Sequence, residues 1–200
     1  MSEIARHIKN LTRHVHNRHG RWQRCRTTDH EVDPPLGTPI KPVTMPALPL
    51  TGGCSCGAVR YEIGAEPQAF YLCHCTECQR HTSSAFGMSL RCDPATVTVT
   101  GAMKTISRMS ESGTRRFGDF CPECGVRIQH RSENDPSRLN IKAGTLDDTS
   151  WLVPAGHIWI SSKQPYVVIG EEELAYPQQP EDKTAAIKER WRMMLDAGDA

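Results

Sequence analysis

The most chemically loaded stretch of this 200-residue sequence is Cys73-His74-Cys75-Thr76-Glu77-Cys78, three thiols within six residues. A C-x-C-x-x-C run offers one metal ion three soft ligands, whereas a zinc sphere takes four. Sites with three protein ligands leave a position for water or a substrate group, and three sulfurs favour zinc over magnesium or calcium. They also push electron density onto the metal, which makes it a weak activator of water. Such a metal is better suited to holding an incoming thiol as thiolate at neutral pH. The pattern points to sulfur chemistry rather than hydrolysis. Two other readings stand beside it. Either His74, Cys92 or a more distant side chain closes the sphere of a second structural zinc, or the three thiols divide and one remains free. Adjacent side chains diverge on an extended backbone, which counts against His74 between two ligating neighbours.

Four more cysteines form a second set, Cys54-Ser-Cys56 and Cys121-Pro-Glu-Cys124-Gly125. A C-x-x-C turn followed by glycine aims both thiolates at one point, and C-x-C is a tighter chelate eased here by Gly52, Gly53 and Gly57. Two plus two completes a tetrahedral structural zinc on Cys54, Cys56, Cys121 and Cys124, a clasp that contributes folding free energy directly. Cys25 and Cys92 stand alone, without an assigned role. Nine cysteines with no apolar run behind a basic start suit a reducing, cytoplasmic setting, where thiols serve as ligands or catalytic groups. No apolar run approaches the ~20 residues of a membrane helix.

The elements that must position these thiols are short. Val59, Tyr61 and Ile63 alternate with Arg60 and Glu62; Phe86, Met88 and Leu90 repeat the pattern, as do Val97 and Val99. Arg116–Phe120, Val126–His130, Leu139–Ala143, His157–Ile160 and Tyr166–Ile169 are further strand candidates, with Gly and Pro between most of them. An antiparallel, mainly β domain over residues 51–170 follows. The one convincing long helix lies near Asp182–Leu195, where Ile187, Trp191, Met194 and Leu195 form one apolar stripe within a C-terminal extension, residues 171–200.

Residues 1–50 differ in texture. They hold eight Lys and Arg against four Asp and Glu, five of the nine histidines, and six prolines between 34 and 49. Ile4, Ile8, Leu11 and Val15 fall at helical spacing, and the prolines read as an extended linker. Three readings compete for this stretch: a disordered basic tail, dispensable upstream sequence with Met45 as the start, or an organelle-targeting peptide. The rest of the chain carries sixteen basic against nineteen acidic residues, so the overall charge of +1 averages a basic tail with an acidic domain.

Taken in order, Thr51-Gly-Gly-Cys-Ser-Cys-Gly-Ala-Val-Arg-Tyr61, Cys73-His-Cys-Thr-Glu-Cys-Gln-Arg80, Phe120-Cys-Pro-Glu-Cys-Gly125, Ala143-Gly-Thr-Leu-Asp147 and Pro154-Ala-Gly-His-Ile-Trp159 leading to Pro165 resemble the glutathione-dependent formaldehyde-activating enzyme family, which also includes centromere protein V-like proteins. The resemblance spans about residues 48–170. It implies an Mss4-like β-tent of small antiparallel sheets with two zinc ions per chain, one structural on Cys54, Cys56, Cys121 and Cys124 and one catalytic on Cys73, Cys75 and Cys78. The activity it implies is a carbon–sulfur lyase run in reverse, joining glutathione and formaldehyde as S-hydroxymethylglutathione. A developing oxyanion would need donors, for which Arg80, Arg116 and His157 are candidates. Where the family often has a glycine after the third cysteine, this chain has Ser83, which bears on how closely a ligand approaches the backbone.

The leading expectation is therefore a zinc enzyme acting on a thiol and an aldehyde. Its rival is a non-catalytic zinc module for a protein or nucleic acid. Charge weighs against nucleic acid, because the acidic domain gains about three more negative charges when seven thiolates hold two zinc ions. A redox sensor using the same thiols is a third reading.

Overall fold

A computed structural model describes residues 14–16, 22–24, 40–110, 113–182 and 184–198, and the chain divides into two compact units, residues 1–30 and 31–200. In the first unit β1 (His14–His16) pairs antiparallel with β2 (Trp22–Arg24), Val15 opposite Gln23. Val15 thus lies in a strand where its spacing predicts a helix; a short amphipathic helix is marginal alone, and β-branched Val15 suits a strand. Ile4, Ile8 and Leu11 lie outside the described residues, as does most of the stretch read as a disordered tail.

The second unit is mainly β. A three-stranded antiparallel sheet joins β3 (Leu50–Gly53), β4 (Arg60–Ile63) and β7 (Val97–Thr100). The larger sheet is built from β5 (Ala69–Cys73), β6 (Gly87–Cys92), β8 (Lys104–Met109), β9 (Arg115–Phe120), β10 (Arg127–Ser132), β11 (Asp135–Lys142), β12 (His157–Ile158) and β13 (Ala175–Tyr176). Its order is β13-β12-β5-β6-β11-β10-β9-β8, antiparallel except that β12 runs parallel to both β5 and β13. A bridge between Gly52 and Leu146 ties the two sheets. The expected Tyr166–Ile169 strand is absent; Tyr166 and Val168 are exposed loop residues, because no neighbouring strand takes up their backbone.

Register separates the two faces of the large sheet. Phe70, Leu90 and Ile141 stand opposite one another and face the core, where α2 (Ala185–Gly198) docks. Its stripe of Ile187, Trp191, Met194 and Leu195 is buried as its spacing predicts. Asp182 caps this helix, its carboxylate accepting from the Thr184 and Ala186 amides at 2.7 and 2.9 Å. Trp191 packs edge-on to Phe70 and against Trp151, and its indole N–H donates to the Pro67 carbonyl at 2.8 Å. Val43, inside the proline-rich segment, is buried too, its amide bonding the Met194 carbonyl at 2.8 Å. The other face is polar. Tyr71, Ser89 and Lys142 form one cross-strand row; Arg91, Asn140, His130 and Gly118 form the row on one side of it, and Cys73 and Gly87 the pair on the other.

Truncating Trp191 tests this packing. Trp191→Ala is expected to cost about 3–5 kcal/mol in urea unfolding of the zinc-loaded protein, through lost transfer energy and a cavity. Met193→Ala, on the exposed face of the same helix, should stay within about 0.5 kcal/mol. Equal losses would contradict the docked face.

Candidate metal centres

The first sulfur set is made by two knuckles of similar build. In one, the Cys54 amide bonds the Val59 carbonyl at 2.9 Å, the Val59 amide returns to Cys54 Sγ at 3.2 Å, and Gly57 takes φ +79°. In the other, the Cys121 amide bonds the Val126 carbonyl at 2.9 Å and Gly125 takes φ +73°. A left-handed residue is needed where each chain reverses, which is why glycine stands at both. The sulfurs of Cys54, Cys56, Cys121 and Cys124 all lie within 4.8 Å of one another, with Cys54···Cys56 at 3.4 Å and Cys56···Cys121 at 3.7 Å. Tetrahedral zinc with Zn–S near 2.3 Å spaces its sulfurs by about 3.8 Å, so the set fits one ion. Against the effect of burial, the Val59 amide and the neighbouring thiols bring Cys54 down to about 6.

The second set, Cys73, Cys75 and Cys78, also has its sulfurs within 4.8 Å of one another. Cys73 ends β5 and is buried. Cys75 caps α1 (Thr76–Thr82), its sulfur accepting from the Cys78 amide at 3.4 Å, and Cys78 follows one turn in. Extended chain running into a capped turn brings all three thiols to one side. Gln79 fixes this turn: its side-chain amide donates to the carbonyls of His74 and Ser162 at 2.7 and 2.8 Å and accepts from Gln164 at 2.6 Å. Among the described residues no fourth His, Cys, Asp or Glu joins the set. Cys92 is opposite Leu139 on the core side, and burial pushes its thiol up to about 12. His74 turns away to His157, Nε2 to Nδ1 at 2.9 Å with the rings stacked, and His157 Nε2 lies 3.0 Å from Glu173.

Cations crowd the three sulfurs. Lys142 is only 6% exposed, and its Nζ has no hydrogen-bond partner. A Cβ on Gly87 would stand 3.2 Å from Cys78 Sγ and 3.4 Å from Lys142 Nζ, so the missing side chain leaves ammonium and thiol around one small space. The Cys78 thiol is driven well below its ordinary range, first by the Cys73 and Cys75 sulfurs and then by Lys142 and Arg127. Burial lowers Lys142 while Cys78 opposes it. The donor set is soft and clustered, with Cys78 biased toward thiolate while the neighbouring sulfurs raise Cys73 and Cys75, a distribution that a bound cation would even out.

The three oxyanion candidates divide. Arg80 is exposed and paired with Glu77 at 2.9 Å. His157 is buried as a prop for His74. Arg116 lies on the polar face beside Arg108 and Arg127. Ser83 is the left-handed C-cap of α1, φ 50°, so a glycine there serves the backbone turn rather than ligand approach. The sequence reading does not single out Lys142, Arg127, Gln79 or His130; the one available signal is the alternation of Asn140 and Lys142 with apolar Leu139 and Ile141.

The family model of the glutathione-dependent formaldehyde-activating enzyme matches residues 49–162. A curated relative from Halomonas elongata, named "Putative glutathione-dependent formaldehyde-activating enzyme", is 25% identical over 147 residues, which cover 68% of this chain and 92% of that protein. A crystal structure of a Rhodobacter sphaeroides protein has 22% identity and a TM-score of 0.41, covering 50% of this chain and 91% of that one. No helix among the described residues is long and apolar enough to cross a membrane.

An added methyl group has different consequences at Gly125 and at Gly101, which packs against the other knuckle. At Gly125 a Cβ meets nothing within 4 Å, so Gly125→Ala should cost only the left-handed strain of about 1–2 kcal/mol and leave metal content unchanged. Gly101, at φ +90°, has the Ala58 carbonyl against its open side. Gly101→Ala is expected to displace the Cys54–Val59 knuckle, cost more, and reduce metal content by one ion per chain in elemental analysis.

Proposed function

The chain belongs to the glutathione-dependent formaldehyde-activating enzyme family, and from that premise we propose that it is a zinc-dependent, carbon–sulfur lyase-type enzyme. It forms or breaks a thiol–aldehyde adduct such as S-hydroxymethylglutathione, with glutathione and formaldehyde as the small-molecule partners and the cytoplasm as the setting. Residues 51–170 carry the activity. Cys54, Cys56, Cys121 and Cys124 hold the structural zinc; Cys73, Cys75 and Cys78 hold the catalytic one. The observation that carries this reading is the three-sulfur set with no fourth protein ligand among the described residues, beside a complete set of four. Zinc bound there supplies a Lewis-acid seat that keeps an incoming thiol ionised at neutral pH.

The chain's own groups do the rest. Gln79 and the Cys75 cap fix the turn that aims the three sulfurs, so the reacting atoms meet in a set geometry. As the substrate's sulfur forms the new bond to the aldehyde carbon, the carbonyl π pair moves onto oxygen, which then takes a proton to give the hydroxymethyl product. Lys142, buried and without another partner, meets the growing negative charge on that oxygen. Burial makes the interaction stronger than it would be in water.

Elemental analysis should find two zinc ions per chain, falling to one in Cys75→Ser while the fold survives. A single tightly held zinc in the unmodified protein would sink the reading. NMR exchange spectroscopy of formaldehyde with glutathione, run with and without protein, should show acceleration above the appreciable uncatalysed rate. Lys142→Met should retain both zinc ions and lower the protein-dependent exchange rate about 100-fold, the scale of removing one oxyanion donor. Unchanged exchange would remove Lys142 from the chemistry.

A further inference from the structure

At its β8–β10 end the polar face of the large sheet holds a small recess roofed by α1. Arg108, Arg116, Arg127, His81, Gly118 and Phe120 line it. Its free volume is about 30 Å³, roughly the share of one water molecule, so it suits one small group rather than a whole substrate. Of its three guanidinium groups only Arg108 is paired, to Glu77 at 3.2 Å. Among the described residues no carboxylate lies within ion-pair distance of Arg116 or Arg127. Burial weakens the protonated form of Arg116, and so do Arg138 and Arg108, with Asp135 opposing them from beyond ion-pair distance, so cations outnumber the one paired carboxylate, Glu77. Arg127 Nε, like Lys142 Nζ, is buried with no hydrogen-bond partner.

Two local devices build this recess. The β9–β10 register shifts between Arg127 and Gln129. That bulge absorbs Ile128 and brings Arg127 opposite Phe120, on the same face as His130, where a regular strand would turn it to the other side. Gly118 then makes room, since a Cβ there would lie 2.9 Å from the Phe120 ring and 3.1 Å from Arg127 Nε. His81 stands one turn beyond Cys78 on α1, and Arg127 feels the charge of Cys78 and Cys75. The recess therefore neighbours the three-sulfur set.

We infer that this recess seats a carboxylate of the thiol substrate, held by Arg116 and Arg127 while the substrate's sulfur reaches the Cys73, Cys75 and Cys78 site. The inference rests on the thiol–aldehyde reading above and specifies its substrate as a thiol carrying a carboxylate. Guanidinium and carboxylate match in shape and charge, and the pairing would satisfy the orphaned Arg127 donor. An acidic domain that takes an anionic substrate needs such a local positive seat.

S-methylglutathione, whose blocked sulfur cannot ionise, separates this recognition from the chemistry. Titrated by calorimetry into the full-length, zinc-loaded protein, it should bind at least tenfold more weakly to Arg116→Ala, with part of the loss recovered by Arg116→Lys. Arg80→Ala, which removes an exposed arginine of α1, should bind it like the unmodified protein. The diethyl ester of S-methylglutathione should bind unmodified protein as poorly as S-methylglutathione binds Arg116→Ala. Thermal midpoints and zinc content establish that each variant is folded. Equal binding by Arg116→Ala, equal binding of the diester, or no binding by the unmodified protein at millimolar concentration overturns the recess. Arg116-dependent binding without accelerated formaldehyde exchange supports the recess and counts against the lyase reading. Accelerated exchange with Arg116-independent binding does the reverse.

Discussion

Four sulfurs must meet at one point, although Cys56 and Cys121 are 65 positions apart in the chain. Most of the architecture follows from this constraint. The first knuckle connects β3 to β4 in the small sheet, and the second connects β9 to β10 in the large one. Bringing their thiols within 4.8 Å therefore fixes the two sheets against each other. Apolar burial alone would not specify that docking, since the small sheet contributes only a handful of core side chains, among them Val59, Tyr61 and Ile63. Hydrogen bonds reinforce it: Tyr61 meets Thr145 at 2.9 Å, and Arg60 and Thr51 both reach Asp147. These contacts are half-exposed and individually modest, so the sulfur set is what makes the arrangement unique.

With that frame set, the large sheet separates stability from chemistry by face. Its apolar side takes the C-terminal helix and accounts for most of the core, with Phe70, Leu90, Ile141 and Trp191 each adding on the order of 1.5–3 kcal/mol by burial. Its polar side holds Cys73, Lys142, Asn140 and His130, groups that are costly to bury. Some of that cost is met internally, as where Tyr71 donates to Asn140 at 2.9 Å and Arg91 donates to Thr184 at 2.6 Å. Lys142 Nζ, beside the three sulfurs, and Arg127 Nε, in the arginine recess, are among the buried atoms left without a partner. Buried polar atoms without a partner call for an explanation, and a ligand at the proposed site would supply one for these two.

The grouping of the thiols into two sets and the main outlines of the fold were legible in the sequence because both rest on short-range patterns. Cysteine spacing gives the sulfur sets, period-two runs such as Val59-Tyr61-Ile63 give strands, and the Ile187–Leu195 stripe gives the helix. The second layer of the site was not legible, because it depends on register. Lys142 reads as the solvent side of a strand until its row, Tyr71-Ser89-Lys142, is seen to be covered. Arg127 is harder still, since simple alternation puts it opposite in sense to His130 and only the bulge at Ile128 reverses that parity. His157 reads as an edge-strand residue because nothing local announces that a two-residue strand will insert beside β5 and place its imidazole against His74. Ser83 illustrates the converse: a position linked to ligand approach proves to be a helix stop.

If the three sulfurs hold zinc as proposed, the surrounding charge bears on the choice between a thiol and water. Three thiolates around one divalent cation would leave a net negative centre, whose charge opposes a further anion even though the metal's softness suits sulfur. Here Lys142 and Arg127 stand beside that centre, and both are exerting the pull that lowers Cys78. Two buried positive charges turn the local balance from about −1 to about +1, so an incoming anionic sulfur meets attraction rather than repulsion. Water needs no such correction. On that reading the cations are the part of the site that receives an anionic sulfur, and they sit on strands whose register the cysteine spacing alone does not reveal.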